Sequence, residues 1–319
     1  FTVTAQVAAM EVYDLVIIGA GPAGMTAGVF AIRKGLKTVI VSEDIGGQVN
    51  WTNDIENYMG FGEIDGQSLV RKFEEQVKEH RVMVKLTAVR SLKKEGELFF
   101  IRTESEETIT GKTAIICSGK RPKTLNVPGE EEFRNKGVSY CSTCDGPLFR
   151  GVPVAVVGGG NSAVKSALDL AHYASEIHLF SLLSNLTADA ILVERLQREG
   201  KIKTYLGHTV VEIKGGQAVE KVTVERVDTK ERFEVPVQGV FVEIGLIPNT
   251  DFVDDTVERN ELQEIMVDCL CRTNIPGLFA AGDVSSVPEK QIIIAAGEGA
   301  KAAIQAWEYL LKRSDASAQ

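Results

Sequence analysis

Tyr13-Asp14-Leu15-Val16-Ile17-Ile18-Gly19-Ala20-Gly21-Pro22-Ala23-Gly24 is the stretch whose reading decides the fold. Its first half is an apolar run suited to a strand covered on both faces. It leads directly into G-x-G-x-x-G, and Met25 to Lys34 continues as a helical segment. With a strand before and a helix after, this glycine pattern reads as a dinucleotide-binding βαβ unit. Gly19 allows the tight turn, Gly21 lets a pyrophosphate approach the backbone, and Gly24 lets helix and strand pack closely. A second strand, Thr38 to Val41, ends at Ser42-Glu43, where a carboxylate can accept from a ribose hydroxyl.

The same logic recurs later. Val154 to Val157, Gly158-Gly159-Gly160-Asn161-Ser162-Ala163 and a helix from Ser162 to Tyr173 form another strand–turn–helix, with alanine in the third glycine place. Its next strand, Glu176 to Phe180, runs into Ser181-Leu182-Leu183-Ser184-Asn185. That segment has neither an acid for a 2′-hydroxyl nor an arginine for a 2′-phosphate. His178 reads as a structural histidine within the strand.

Between the two turns, Gly46 to Tyr58 is a polar loop that suits a ligand as well as a plain surface turn. Leu69 to His80 reads as a helix, Val82 to Val84 begins a strand region, and the charged stretch to Thr110 reads as solvated hairpins. Thr113 to Gly119 is a buried strand holding Cys117 as a small core residue. Lys120-Arg121-Pro122 and Gly245-Leu246-Ile247-Pro248-Asn249 read as linkers. The tail offers Ile265 to Cys271, a strand delivering Gly282-Asp283, and a helix from Gln291 to Leu311. Asp283 can accept from a sugar-like hydroxyl. Cys269 and Cys271 are expected on one face of a strand, where they cannot readily bridge, and read as structural. The fold class is α/β: two Rossmann-like dinucleotide-binding domains, the second inserted into the first. The expected split is 10–121 with 250–319 for the first and 122–249 for the second. Residues 1–9 are expected to be a cloning remnant ahead of Met10.

Cys141-Ser142-Thr143-Cys144-Asp145-Gly146-Pro147 precedes the second turn. A C-x-x-C pair beside a βαβ pattern reads as a redox dithiol, since two thiols so spaced can close into a disulfide and reopen. Half a zinc site or two inert thiols are the competing readings. Asp145, beside the thiols, can move the proton that thiol exchange needs, or it can serve as a helix cap.

The chain has 319 residues, 44% apolar and 25% charged, as in ordinary globular proteins, with material for two domains or three. A net charge of −9 argues against nucleic acid and anionic membrane surfaces as partners. Five cysteines make no disulfide scaffold, and a reducing cytoplasm is expected.

On these residues the chain resembles the low-molecular-weight thioredoxin reductases and the reductase part of the alkyl hydroperoxide reductase flavoprotein. The resemblance rests on Gly19 to Gly24, Gly46-Gly47-Gln48, Glu56-Asn57, Cys141 to Gly146, Gly158 to Ala163, Ala281-Gly282-Asp283 and Gln291. It covers nearly the whole chain from Glu11 to Arg313. Thr187-Ala188-Asp189 and Glu289 to Ile294 lean toward the hydroperoxide-reductase branch. The resemblance implies FAD held by Gly19, Gly21, Pro22, Ala23, Gly24, Ser42, Glu43, Gly47, Gln48, Asn57, Val84, Ser118, Gly119, Gly282, Asp283, Gln291 and Ile292. It implies a nicotinamide dinucleotide, NADPH or NADH, at Gly158, Gly160, Asn161, Ser162 and Ala163. Cys144 would face the flavin, Cys141 would attack the disulfide of a thioredoxin-like or glutaredoxin-like protein, and Asp145 would act as acid and base. It further implies a homodimer and an inserted domain that swings. The departure is Ser181-Leu182-Leu183, where NADPH users of this family carry His-Arg-Arg and the hydroperoxide branch begins with a glutamate. A ferredoxin or deazaflavin donor is therefore a second expectation. A hydroperoxide-reductase flavoprotein and a ferredoxin–NADP reductase-like flavoenzyme are further alternatives.

Overall fold

The computed structural model describes residues 11–52 and 55–317; the expected remnant and Met10 lie outside them. The first glycine stretch forms β1 (Val12–Ala20) and α1 (Pro22–Arg33), followed by β2 (Thr38–Ile45), α2 (Gly66–Glu79), β3 (Met83–Leu86), β4 (Val89–Glu95), β5 (Leu98–Thr103) and β6 (Thr108–Ile116). Their strands make a sheet in the order β3-β2-β1-β6-β5-β4. Pairing is parallel from β3 to β6 and antiparallel through β5 and β4.

Alternation along β1 decides how the sheet is covered. Leu15 and Ile17 pack on one face with Ala27 and Ala31 of α1, whereas Val16 and Ile18 pack on the other with Leu92, Phe99 and Ile101. Each of these large side chains is almost fully buried, and each contributes about 1.5–3 kcal/mol of transfer free energy. The charged hairpins are therefore solvated on one side only.

At Lys120 the chain leaves this sheet through β7 (Lys120–Pro122). The inserted unit begins with β8 (Val138–Ser139), α3 (Ser142–Asp145), β9 (Pro153–Val157), α4 (Asn161–Leu170), β10 (Glu176–Ser181), α5 (Ala190–Arg198) and β11 (Ile202–Leu206). It continues with β12 (His208–Gly215), β13 (Val219–Arg226), β14 (Arg232–Pro236) and β15 (Gly239–Val242). An all-parallel sheet runs β11-β10-β9-β15-β8, and β12-β13-β14 form a separate antiparallel sheet. Val154 and Val156 face α4, and Ala155 and Val157 face the antiparallel sheet, repeating the division seen in β1.

The chain returns through β16 (Leu246–Pro248), which pairs antiparallel with β7. The two expected linkers are thus one short ribbon, with Arg121 opposite Ile247. Beyond it, β17 (Leu278–Ala280) pairs parallel with β6, and α6 (Ile292–Ser317) packs its Ala302, Ala303 and Ala306 into the core beside α1.

The expected strand at Ile265 to Cys271 is corrected. Asp268 closes a turn there, its carboxylate accepting from the backbone N–H groups of Leu270 and Arg272. Cys271 takes φ +62°, Cys269 is exposed and Cys271 is buried. The short carboxylate outcompetes the ladder for those amides.

Candidate active site

The first glycine turn opens onto a cavity of about 880 Å³ that extends to the dithiol. Gly19 has φ +108°, and a Cβ there would collide with the Cys117 carbonyl, while one on Gly24 would collide with the Gly19 carbonyl. These two glycines are required by close backbone packing. Gly21 has open space where its Cβ would be, so the N-terminus of α1 can take a phosphate. Ser42 Oγ accepts from the Ala20 N–H at 3.0 Å and braces the turn, and exposed Glu43 lines the cavity beside it.

Several other segments converge on the same cavity. Gly47 and Gln48 stand in a 3-10 turn, Gly47–Trp51, and Gln48 donates to Asp283 at 3.3 Å. Asn57 donates to Gln291 at 3.2 Å, ahead of Ile292 at the start of α6. Ser118 and Gly119 join the two crossings: Ser118 Oγ donates to the Asn249 carbonyl at 2.7 Å, and Asn249 N donates to the Gly119 carbonyl at 3.0 Å. Val84 stands apart, on β3 opposite Ile40 of β2 and packed against the core rather than lining the cavity; Ala88 and Arg90 line it instead.

Sequence reasoning missed the ions that hold this floor. Glu264 pairs with buried Lys120 and with Lys290 at 3.2 Å, next to Asp283. Burial pushes the Glu264 carboxyl up, but Lys120, Asn260 and Lys290 outweigh it and leave it below its ordinary value. Burial pushes Asp283 up and Lys290 down, with Lys120 adding to the latter. Removing one partner of such a buried pair strands the other, at roughly 3–5 kcal/mol. Glu298 was also missed; it accepts from the Gly282 N–H at 2.8 Å and so fixes the turn that presents Asp283. Single acids and lysines in α6, in β7 and in loops gave no pattern from which to find these groups.

Cys141 and Cys144 form a disulfide with Cα atoms 5.3 Å apart, and both line the cavity along with Asp145. The zinc reading fails, since both sulfurs are in this bond. Cys141 is itself the N-cap of α3, its sulfur accepting from the Cys144 N–H at 3.2 Å. Asp145 closes that helical turn and accepts from Ser139 Oγ at 2.7 Å. Asp145 also stands at the N-cap position of the 3-10 turn Gly146–Phe149, without a side-chain cap bond to it, and it lines the cavity with the two cysteines.

At the second turn, Gly158 has φ +148°, and a Cβ there would meet the Glu243 carbonyl. Gly160 caps α4, Ser162 is exposed in its first turn, and Ala163 is buried beneath it. Asn161 is tied down: Asp189 N donates to its Oδ1 at 2.7 Å and its Nδ2 donates to Asp189 at 3.2 Å. His178 is buried between Phe180 and Tyr205, and burial lowers its pKa, in keeping with a structural role. Leu182 and Leu183 are 59% and 52% exposed at the end of β10.

These residues fit the two groups unequally. FAD finds a phosphate turn with room at Gly21, a ribose acceptor at Glu43, and Asp283 with polar neighbours farther along. A pyridine nucleotide finds a glycine turn but no charged partner at Ser181, Leu182 or Leu183.

Residues 13–303 match the family model described as pyridine nucleotide-disulphide oxidoreductase. An alkyl hydroperoxide reductase protein from Pseudomonas putida is 42% identical over 313 residues, covering 97% of this chain and 60% of that protein. The chain thus spans about three-fifths of the length of the curated relatives it matches. Among solved structures, thioredoxin reductase from Streptococcus pyogenes superimposes with a TM-score of 0.90 at 37% identity, covering 95% of this chain and all of that one. The Lactococcus lactis thioredoxin reductase described as in the FR conformation covers 94% of this chain and 99% of its own, with 38% identity but a TM-score of 0.66. FAD and NAD(P)H are the cofactors that go with this fold and these neighbours, and the chain belongs to the pyridine nucleotide-disulphide oxidoreductases.

Proposed function

We propose that this protein is a thioredoxin-disulfide reductase, passing an electron pair from a nicotinamide donor through FAD and the Cys141–Cys144 pair to a thioredoxin-like or glutaredoxin-like protein. The observation that carries this reading is the disulfide lining the same cavity as the Gly19–Gly21 turn. Bound in that cavity, FAD supplies a two-electron relay between the donor and the disulfide. Two electrons and two protons break the Cys141–Cys144 bond and leave a dithiol. Asp145 is the proton carrier beside it. Cys141 as thiolate then attacks the partner's disulfide and expels one partner thiolate, which takes up a proton. Cys144 displaces the partner's second sulfur, releasing the reduced partner and restoring the intramolecular disulfide.

With the disulfide facing the cavity, a protein partner needs another pose to reach Cys141. We place the hinge at the β7–β16 ribbon, with the boundaries near 121 and 250. Two neighbours of nearly equal identity superimpose very differently, which suits such a swing. A homodimer in the cytoplasm completes the reading; among the described residues no helix is long and apolar enough to cross a membrane. The test is anaerobic titration of the FAD-loaded protein with NADH and NADPH, followed by addition of a disulfide thioredoxin. Bleaching of the flavin and thiol release from the thioredoxin are expected. A flavin that stays oxidised sinks the donor assignment, and a bleached flavin without thiol release sinks the dithiol relay. A second reading, reduction by ferredoxin or a deazaflavin, is favoured by exposed Leu182 and Leu183, and reduced ferredoxin added to the same titration tests it.

A further inference from the structure

The inserted unit holds a carboxyl group that the dithiol relay does not use. Glu243 follows β15, and its N–H donates to the Val157 carbonyl at 2.8 Å, which places it at the carboxyl ends of β9 and β15. In an open parallel sheet this is where a dinucleotide lies. One carboxyl oxygen accepts from Ser162 Oγ in the first turn of α4. The other accepts from Ser166 Oγ at 2.6 Å. Ser166 Oγ in turn accepts from Ser142 Oγ at 2.8 Å, and the Ser142 backbone N–H acts on the same carboxyl. Ser142 lies between the cysteines, in the single-turn helix that Cys141 caps.

We propose that Glu243 links the nucleotide turn to the dithiol, lowering pyridine-nucleotide affinity at Gly158–Ser162 and making that affinity depend on whether Cys141 and Cys144 are bonded. The linkage has two parts. At the turn, Glu243 occupies the Ser162 hydroxyl, a donor that an incoming phosphate would otherwise use, and it places an acidic group near that anion. At the dithiol, the same carboxyl anchors Ser142 through Ser166. Opening the disulfide releases the constraint between residues 141 and 144, and any shift of α3 passes through Ser166 and the Ser142 N–H to Glu243 and so to Ser162. Coupling of this kind is reciprocal, so a ligand at the turn must equally shift the dithiol equilibrium. Burial pushes the Glu243 carboxyl up and the two serine hydroxyls draw it part of the way back, consistent with a group held by this network rather than by solvent.

The inference rests on the reading that the second glycine turn takes a pyridine nucleotide. Its test uses ADP-ribose, which carries the pyrophosphate and cannot reduce the flavin. Binding is measured by calorimetry on the FAD-loaded protein with Cys141–Cys144 oxidised, and again after reduction. Glu243→Gln is expected to bind ADP-ribose about tenfold more tightly than the unaltered protein, the gain typical of a few charge-assisted contacts. In the unaltered protein the dissociation constant is expected to differ about fivefold between the two redox states, the lower end of usual coupling factors. Ser166→Ala, which removes the side-chain route to Ser142 and leaves Glu243 at Ser162 and at the Ser142 N–H, should reduce that difference. Equal affinity in Glu243→Gln and the unaltered protein overturns the inference, as does a redox difference that Ser166→Ala leaves unchanged. If Glu243→Gln fails to hold FAD, the Ser166→Ala comparison decides alone. Reduction of the flavin by NADH or NADPH in the unaltered protein, with no gain in Glu243→Gln, leaves the proposed donor standing while this inference falls. Tighter binding in Glu243→Gln with no such reduction gives the converse.

Discussion

The two glycine turns share one plan and diverge at the next strand. Both have a positive-φ glycine pressed against a neighbouring backbone, and both start a helix whose first turn can meet a phosphate. In the last half of β2 stand Ser42, which braces the turn, and exposed Glu43, the expected ribose acceptor. β10 ends at buried Ser181, and the exposed Leu182 and Leu183 follow. Backbone geometry gives each turn the shape that the proposed phosphate site needs, and the two strand ends differ in what they would offer the rest of a nucleotide.

Gly19→Ala and Gly158→Ala would break the comparison most severely. Both put a methyl group into a carbonyl oxygen at a φ that L-residues disfavour, costing about 1–3 kcal/mol in backbone strain before the collision is counted. Gly19→Ala is expected to yield protein without flavin colour. Gly158→Ala is expected to keep its flavin and lose reduction by pyridine nucleotide. Spectra of the two purified variants check this, and loss of flavin from both would mean that the units are not separate.

Cys141→Ser should retain flavin and reduce no protein disulfide, while Cys144 remains available to the cavity. Thioredoxin reduction assayed with a chemically reduced flavin reads this directly, and full activity would remove Cys141 from the relay. Asp145→Asn keeps an acceptor for Ser139 but cannot carry a proton, so the thiol step should slow by roughly 10²-fold with little change in melting temperature. Stopped-flow oxidation of the reduced protein is the measurement.

Arginine at Leu182 and Leu183 sharpens the comparison by adding what the second turn lacks. A charge-assisted bond contributes about 1.5–3 kcal/mol, so NADPH affinity should rise at least tenfold with little change for NADH. A native protein that already prefers NADPH several hundredfold would overturn that reading. The smallest effect belongs to Glu298, whose carboxyl is raised above its ordinary 4.5, chiefly by burial. The folded state then holds this proton more tightly than the unfolded one, so the stability Glu298 contributes is full at low pH and declines as pH rises above about 4.5. Glu298→Gln should flatten that decline in thermal melts from about pH 5 to about pH 8.

What the sequence made legible was local. Both glycine turns, the dithiol and the Gly282-Asp283 turn are written in consecutive residues, and their flanking strands read clearly because buried parallel strands are apolar throughout. Lys120 and Glu264 are 144 residues apart, and their pairing could not be read, because nothing in either neighbourhood marks a buried ion. The Ser142–Ser166–Glu243 chain was hidden for the same reason. Cys271 was misplaced because alternation over a few residues cannot tell a strand from a carboxylate-closed turn. Asp145 could be read either way, because the fold places it both in the cavity with the cysteines and at the N-cap position of the following 3-10 turn.

The β7–β16 ribbon also bears on how such a chain can be rebuilt. Arg121 faces Ile247 across a single antiparallel pair, so the ends of everything between them lie side by side. A segment whose ends already touch can be excised, rejoined by a short junction, or exchanged for another module without stretching the host. Recombination at this ribbon gives a family a way to keep its flavin chassis while changing the electron carriers on either side of it.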